Sequence, residues 1–73
     1  MNTFPPSPGL ALILEMDDTG TVTYIGQAIP GTGSDKPDWQ IIRVTNATGA
    51  IRFASGNSNF EHIWDNRATI TYT

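Results

Sequence analysis

Short stretches in which apolar and polar residues alternate are the main pattern of the chain, and they predict β-strands. Residues 21–26 (TVTYIG), 50–54 (AIRFA) and 68–72 (ATITY) alternate with a period of two, which places apolar side chains on one face of a strand. Residues 38–45 (DWQIIRVT) are a further strand candidate. Residues 10–16 (LALILEM) are apolar on both faces, which is typical of a strand that is covered on two sides.

Turn residues separate these strands into two hairpins and a final single strand. Residues 17–20 (DDTG) and 46–49 (NATG) each end in a glycine, which readily supplies the positive φ of a tight turn. Residues 28–38 (AIPGTGSDKPD) predict a loop, and the apolar spacing in residues 60–64 predicts one helical turn. We therefore expect an all-β fold, a small five-stranded antiparallel barrel or sandwich.

The first nine residues, MNTFPPSPG, predict an extended arm in front of a single small β domain that covers residues 10–73. The prolines of this segment fix φ and remove backbone donors, so the arm is polyproline-like. Its aromatic residue, Phe4, is the natural anchor on a neighbouring subunit, because aromatic side chains dominate interface energetics. The predicted interface residues are Phe4, Pro5, Pro6, Leu10, Leu12 and Ile13.

The length of the chain favours association with other proteins. A chain of 73 residues without cysteine builds only a small core and has no disulfide to reinforce it, so we expect a homo-oligomer or docking onto a larger body. The formal net charge of -3 argues against a nucleic-acid partner, which calls for a basic face. No apolar run approaches the roughly 20 residues of a membrane span, and residues 1–9 lack the regions of a signal peptide. We therefore expect no membrane partner, and synthesis in a cytoplasm.

The candidates for catalysis and ligand binding have simpler structural interpretations. Residues 30–36 (PGTGSDK) lack the glycine spacing of a phosphate-binding loop, and Pro37 follows the lysine. Glu61, His62 and Asp65 form the one metal-like cluster, but zinc sites take three or four ligands with a preference for nitrogen and sulfur. Adjacent residues on a helix also diverge by about 100°. We therefore expect no enzymatic activity, no cofactor and no metal.

The arginines in or beside the predicted strands are Arg43, Arg52 and Arg67. A strand arginine often pairs with a carboxylate on a neighbouring strand. Asp38 and Asp65 are the candidate partners, either within the chain or between subunits.

The aromatic residues leave open a second function, a small soluble module that binds carbohydrate. Tryptophan and tyrosine rings that are exposed on a sheet can stack on a sugar or a base, although stacking on single-stranded nucleic acid also needs a basic groove. Core packing is the favoured interpretation for Trp39 and Trp64, because each lies on an otherwise apolar face. The remaining candidates for such a platform are Tyr24, Phe53, Phe60 and Tyr72.

The order of the short motifs resembles that of small proteins found among bacteriophage structural genes. Those proteins share the pattern YIGxAxPGT…WxIxRI…FAxGxxxFxxxWDxRxxxxY. The chain follows it from Tyr24 to Tyr72 with YIGQAIPGT, WQIIR, FASG and WDNRA. The resemblance implies a virion or prophage context. It transfers no catalytic or binding residue, because the family has no assigned activity.

We therefore expect a non-enzymatic structural subunit of a bacteriophage virion, made in the host cytoplasm and located in the particle. A capsid decoration or cement protein, or a neck or tail accessory protein, is the role that fits a small subunit docking on larger virion proteins. A small sheet with open edges suits this role, because an unpaired edge accepts a strand from another chain.

Overall fold

The computed structural model describes residues 12–73, and in this part of the chain four strands form one antiparallel sheet. The strands are β1 (Ile13–Asp18), β2 (Val22–Ala28), β3 (Gln40–Thr45) and β4 (Ala50–Phe53). They are ordered β1-β2-β3-β4 across the sheet, so each strand pairs with its neighbour along the chain. The predicted β character and the two hairpins are confirmed, whereas the predicted arm of residues 1–9 lies outside the described residues.

Two tight turns lie at the same end of the sheet and are tied to each other. Gly20 and Gly49 have φ values of 99° and 75°, a region that side chains disfavour. The Asn46 side chain donates a hydrogen bond to Asp18 Oδ1 (3.1 Å), and its carbonyl oxygen accepts one from the Thr23 hydroxyl (2.8 Å). This asparagine therefore links the β3–β4 turn to the first hairpin.

The predicted fifth strand at residues 68–72 is wrong, and so is the barrel or sandwich that it would complete. The structure has a 3-10 helix at Trp64–Thr69, and Tyr72 forms only an isolated bridge with Ala54. The helical turn predicted at residues 60–64 therefore lies later in the chain. The sheet remains open, with β1 and β4 at its edges.

Local hydrogen bonds explain why this segment turns instead of extending. The backbone N–H of Asn66 donates to the Ile63 carbonyl (3.0 Å), and the Thr69 hydroxyl donates to the Asn66 carbonyl (2.8 Å). Backbone bonds of the i to i+3 kind build a 3-10 helix, and the hydroxyl bond draws Thr69, a residue that simple alternation assigns to a strand, into the same turn.

The C-terminal segment, residues 54–73, supplies half of the buried core of the sheet. The sheet contributes one face, on which Trp39 is 1% exposed and Ile41 is fully buried. Trp64, at 6% exposure, packs against them, which confirms that both tryptophans are core anchors. The complete buried cluster is Ala28, Trp39, Ile41, Ala54, Trp64 and Tyr72.

Gly26 provides the space in which the two tryptophans meet. A Cβ atom at this position would lie 2.6 Å from Cε3 of Trp64 and 3.0 Å from Cε3 of Trp39. The two ring centroids are 5.8 Å apart, within the range of favourable aromatic pairs. A side chain on this residue of β2 would therefore displace the indole of Trp64 from the sheet.

Arg67 connects the 3-10 helix to the first strand. Its guanidinium carbon lies 4.6 Å from the centroid of the Trp64 ring, a cation–π contact. Its Nε atom donates to Asp17 Oδ2 at 3.0 Å, and the pair is partly buried. The C-terminal segment is therefore held both by its buried indole and by an ion pair to an edge strand.

We expect Gly26→Ala to destabilise the fold by about 1–3 kcal/mol, because overpacking a close contact typically costs this much. Gly33→Ala is the matched control, since a Cβ there would meet mainly the end of the Asp35 side chain, at 2.8 Å, which can rotate away. Urea denaturation that shows equal midpoints for the two variants would contradict the proposed role of Gly26.

The buried Tyr72 is expected to make the fold less stable at alkaline pH. Burial, reinforced by the neighbouring Tyr24, raises the pKa of Tyr72 to about 12. The Tyr72 hydroxyl donates to the Arg67 carbonyl at 2.8 Å. Because the ordinary pKa is about 10, the folded state holds this proton more tightly than the unfolded state does.

We therefore expect the contribution of Tyr72 to be complete below pH 10 and to be lost as the pH rises from about 10 to about 12. Denaturation midpoints over this range should fall more steeply for the wild type than for Tyr72→Phe. If the midpoints of the two proteins fall equally with pH, the loss of stability does not come from ionisation of the Tyr72 hydroxyl.

Candidate interaction surface

We call the face of the sheet opposite the buried core the open face. It carries a group of apolar side chains. Alternate residues of all four strands point to it, because successive side chains of a strand lie on opposite faces. Its members are Leu14, Met16, Ile25, Ile42, Val44, Ile51 and Phe53.

Strand register joins these side chains into a continuous apolar row. Met16 pairs with Ile25, which pairs with Ile42, which in turn pairs with Phe53. Directly paired side chains have Cβ atoms about 4.5–5.5 Å apart. The row therefore crosses the whole sheet from β1 to β4 without a polar interruption.

The two edges of the open face are the most exposed. Leu14 is 65% exposed and Met16 69% exposed on β1, and Ile51 is 52% exposed on β4. Four strands spaced about 4.8 Å apart and about 20 Å long give a projected area of roughly 400 Å². The apolar row occupies the middle of this area, and the largest apolar patch on a soluble protein is often a functional one.

Polar side chains border the open face at both ends. Asp18 and Thr23 lie at the turn end, and Gln27 and Gln40 lie at the other. The backbone N–H of Gly20, at 2.9 Å, and the Asn46 side chain lower the pKa of Asp18, which keeps its carboxylate ionised. An apolar centre with a polar rim is the usual anatomy of a protein–protein interface.

The interface residues predicted from the sequence divide into two groups. Ile13 begins β1 on the core face and packs against the buried cluster, and Leu12 is half-buried directly before that strand. The others lie outside the described residues, and these are Phe4, Pro5, Pro6 and Leu10.

The sequence analysis did not identify the open face as an interaction surface, although the sequence contains a pattern that indicates it. The apolar residues on both faces of segments 10–16 and 38–45 predict two buried surfaces. Within residues 12–73 the core covers only one of them, and Leu14 and Met16 belong to the other.

The metal-like cluster has a structural role in the folded chain. Asp65 accepts a hydrogen bond from the Ser34 hydroxyl (3.2 Å), and its backbone N–H donates to the Ser34 carbonyl (3.0 Å). His62 Nε2 lies 3.9 Å from the nearer Glu61 carboxylate oxygen. Among the described residues, no three histidine, cysteine or acidic side chains are grouped as metal ligands, and no cavity is found.

Most of the aromatic rings are used inside the fold. Trp39 donates its indole N–H to the Gly33 carbonyl at 3.0 Å, and Tyr24 packs 5.7 Å from Tyr72. Phe60 is an exposed aromatic residue, at 44%. The tryptophan and tyrosine rings on which a sugar would stack therefore contact one another instead.

Comparisons with known proteins give no relative of the chain. No family model, curated protein or solved structure matches it. Within residues 12–73 there is also no helix of the length and apolarity that crossing a membrane requires.

Two isoleucines offer a direct test of which face is the core. At low protein concentration, Ile41→Ala should cost about 2–5 kcal/mol, because it leaves a cavity under the tryptophans. Ile51→Thr on the open face should change the unfolding free energy by no more than about 0.5 kcal/mol, as for most surface substitutions. Equal losses in urea denaturation would mean that the open face is buried in the free chain.

Proposed function

We propose that this protein is a non-enzymatic structural subunit of a bacteriophage virion that docks on larger virion proteins through the open face. Within the particle, a capsid decoration or cement protein, or an accessory protein of the neck or tail, is the role that suits its size. The observation that carries the docking role is the apolar row from Met16 to Phe53, which crosses all four strands.

The open face supports docking because its geometry is already formed in the free chain. The four strands are held by the hairpin turns and by the core on the other side, so little order has to be created on binding. Binding of a preformed surface avoids much of the entropic cost that a flexible segment incurs. A partner that covers Leu14, Met16 and Ile51 removes the most exposed apolar groups of the sheet from water.

The small core supports a role in an assembly. Domains of this size gain little stability from a single core, and burial of a second apolar face against a partner adds to it. Repeated copies on a symmetric particle also multiply weak individual contacts through effective concentration. Homo-oligomerisation of the subunit is part of this proposal.

The phage context is supported by the motif order from Tyr24 to Tyr72. In the structure, several of those motif residues pack together in the core. Gly26 and Trp39 of the first two motifs meet Trp64 of the last one in the buried core. The resemblance therefore follows the residues that build the fold. The arm of residues 1–9, with Phe4 as its anchor, is the proposed second contact with a neighbouring subunit.

Quantitative mass spectrometry of purified phage particles tests this proposal. We expect the protein to be present at a copy number that matches a symmetric site of the capsid, neck or tail. Met16→Lys should reduce its incorporation at least about tenfold, because a desolvated, unpaired charge disrupts an apolar contact.

Ala68→Lys is the matched control, since it adds the same charge at an exposed position of the C-terminal segment. It should be incorporated like the wild type. Absence of the protein from particles would contradict the virion role, and equal incorporation of both variants would contradict docking through the open face.

A further inference from the structure

Two arginines lie side by side on the core face of the sheet, near the turn that joins β3 and β4. Arg43 and Arg52 are direct partners in the β3–β4 register. Like charges directly opposite each other on neighbouring strands are destabilising. These two residues are half of the four basic residues in a chain that has seven acidic ones.

Neither arginine is neutralised by the described part of the chain. The salt bridge there joins Arg67 to Asp17, and the other close contact between ionisable groups is that of His62 with Glu61, so neither includes this pair. The Arg52 guanidinium donates only to the carbonyl of Ile51, its neighbour in sequence, at 2.8 Å. The fold therefore places two positive charges together without compensating them.

Arg43 adds an unsatisfied donor that is held in a fixed position. Its Nε atom is buried and has no hydrogen-bond partner within residues 12–73. Its guanidinium carbon lies 4.9 Å from the centroid of the Tyr72 ring, so the aromatic ring orients the planar group. A partner does not reach this buried atom, so the donors that Arg43 offers to a ligand are its two Nη groups, which form no hydrogen bond within residues 12–73.

We propose that Arg43 and Arg52 form a carboxylate-binding site for an acidic segment of a neighbouring protein. A carboxylate accepts two parallel hydrogen bonds from one guanidinium group, and such charge-assisted bonds are among the strongest in proteins. Tyr24 is the register neighbour of Arg43 on the other side and places its phenol in the same row. Nucleic-acid phosphate is the less favourable ligand, because its recognition calls for an extended basic face and the chain has only four basic residues.

The site lies on the opposite face from the open face, so one flat partner surface does not reach both. A subunit of an assembly has several neighbours, and we assign the acidic segment to a different neighbour from the one that covers the open face. That assignment rests on the proposed function, whereas carboxylate binding itself does not.

The test follows the arginine Nε–H signals of the isolated, isotope-labelled protein by nuclear magnetic resonance. Succinate, inorganic phosphate and chloride are titrated separately at constant ionic strength. We expect succinate to shift the Arg43 signal saturably, with an affinity in the millimolar range. Arg52→Gln should weaken this binding about two- to fivefold, as expected for loss of one exposed charge pair. Lys36→Gln removes the same charge from the loop before β3 and should leave the affinity unchanged.

A stability measurement separates a binding role from a structural one. Arg52→Gln removes the like-charge contact, so its melting temperature should equal or exceed that of the wild type while succinate binding falls. Shifts no larger with succinate than with chloride, or equal binding by the two variants, would overturn the site. Phosphate binding at least fivefold tighter than succinate would overturn the carboxylate assignment. All these results leave the particle experiment on the open face untouched.

Discussion

The contact of Trp64 with the sheet at Gly26 is the interaction on which the rest of the structure depends. Because Gly26 has no side chain, the indole lies directly against β2 and beside Trp39. This placement fixes the C-terminal segment on one face, and the partly buried ion pair between Arg67 and Asp17 holds the same segment against β1. The covered face becomes the core, and the rest of residues 12–73 leaves the opposite face apolar and exposed.

This arrangement explains how so short a chain has two different surfaces. One face of the sheet satisfies its apolar residues within the chain, through a segment that follows the last strand. The other face repeats the same alternation but has no second segment of residues 12–73 large enough to cover it. A four-stranded sheet that is packed on one side is a stable unit, and it presents its second face ready for a partner.

The sequence predicts those parts of the fold that depend on local patterns. Alternation and the glycine turns at Gly20 and Gly49 predict both hairpins, and the apolar surroundings of Trp39 and Trp64 predict their burial. The segment of residues 68–72 is different, because its alternation competes with the helical turn that begins at Trp64. Local hydrogen bonds build this turn, and Trp64 seats it on the sheet at Gly26, a contact between distant parts of the chain that a local pattern does not contain.

The candidate surfaces can be predicted only in part from the sequence, because they too depend on contacts between residues that are distant in the chain. Two apolar faces are visible in residues 10–16, but alternation does not say whether a face is covered by the chain itself or by a partner. The pairing of Arg43 with Arg52 depends on the β3–β4 register, which the NATG turn suggests and the structure defines.

Oxidative footprinting at Met16 tests the central claim most directly. Hydroxyl radicals oxidise an exposed methionine rapidly, and Met16 is 69% exposed in the free chain. Peptide-resolved mass spectrometry at equal radical dose would compare the isolated protein with the same protein in purified phage particles. The account predicts fast oxidation of Met16 in isolation and strong protection in the particle, with Trp64 slow in both. Equal oxidation of Met16 in the two states would contradict it.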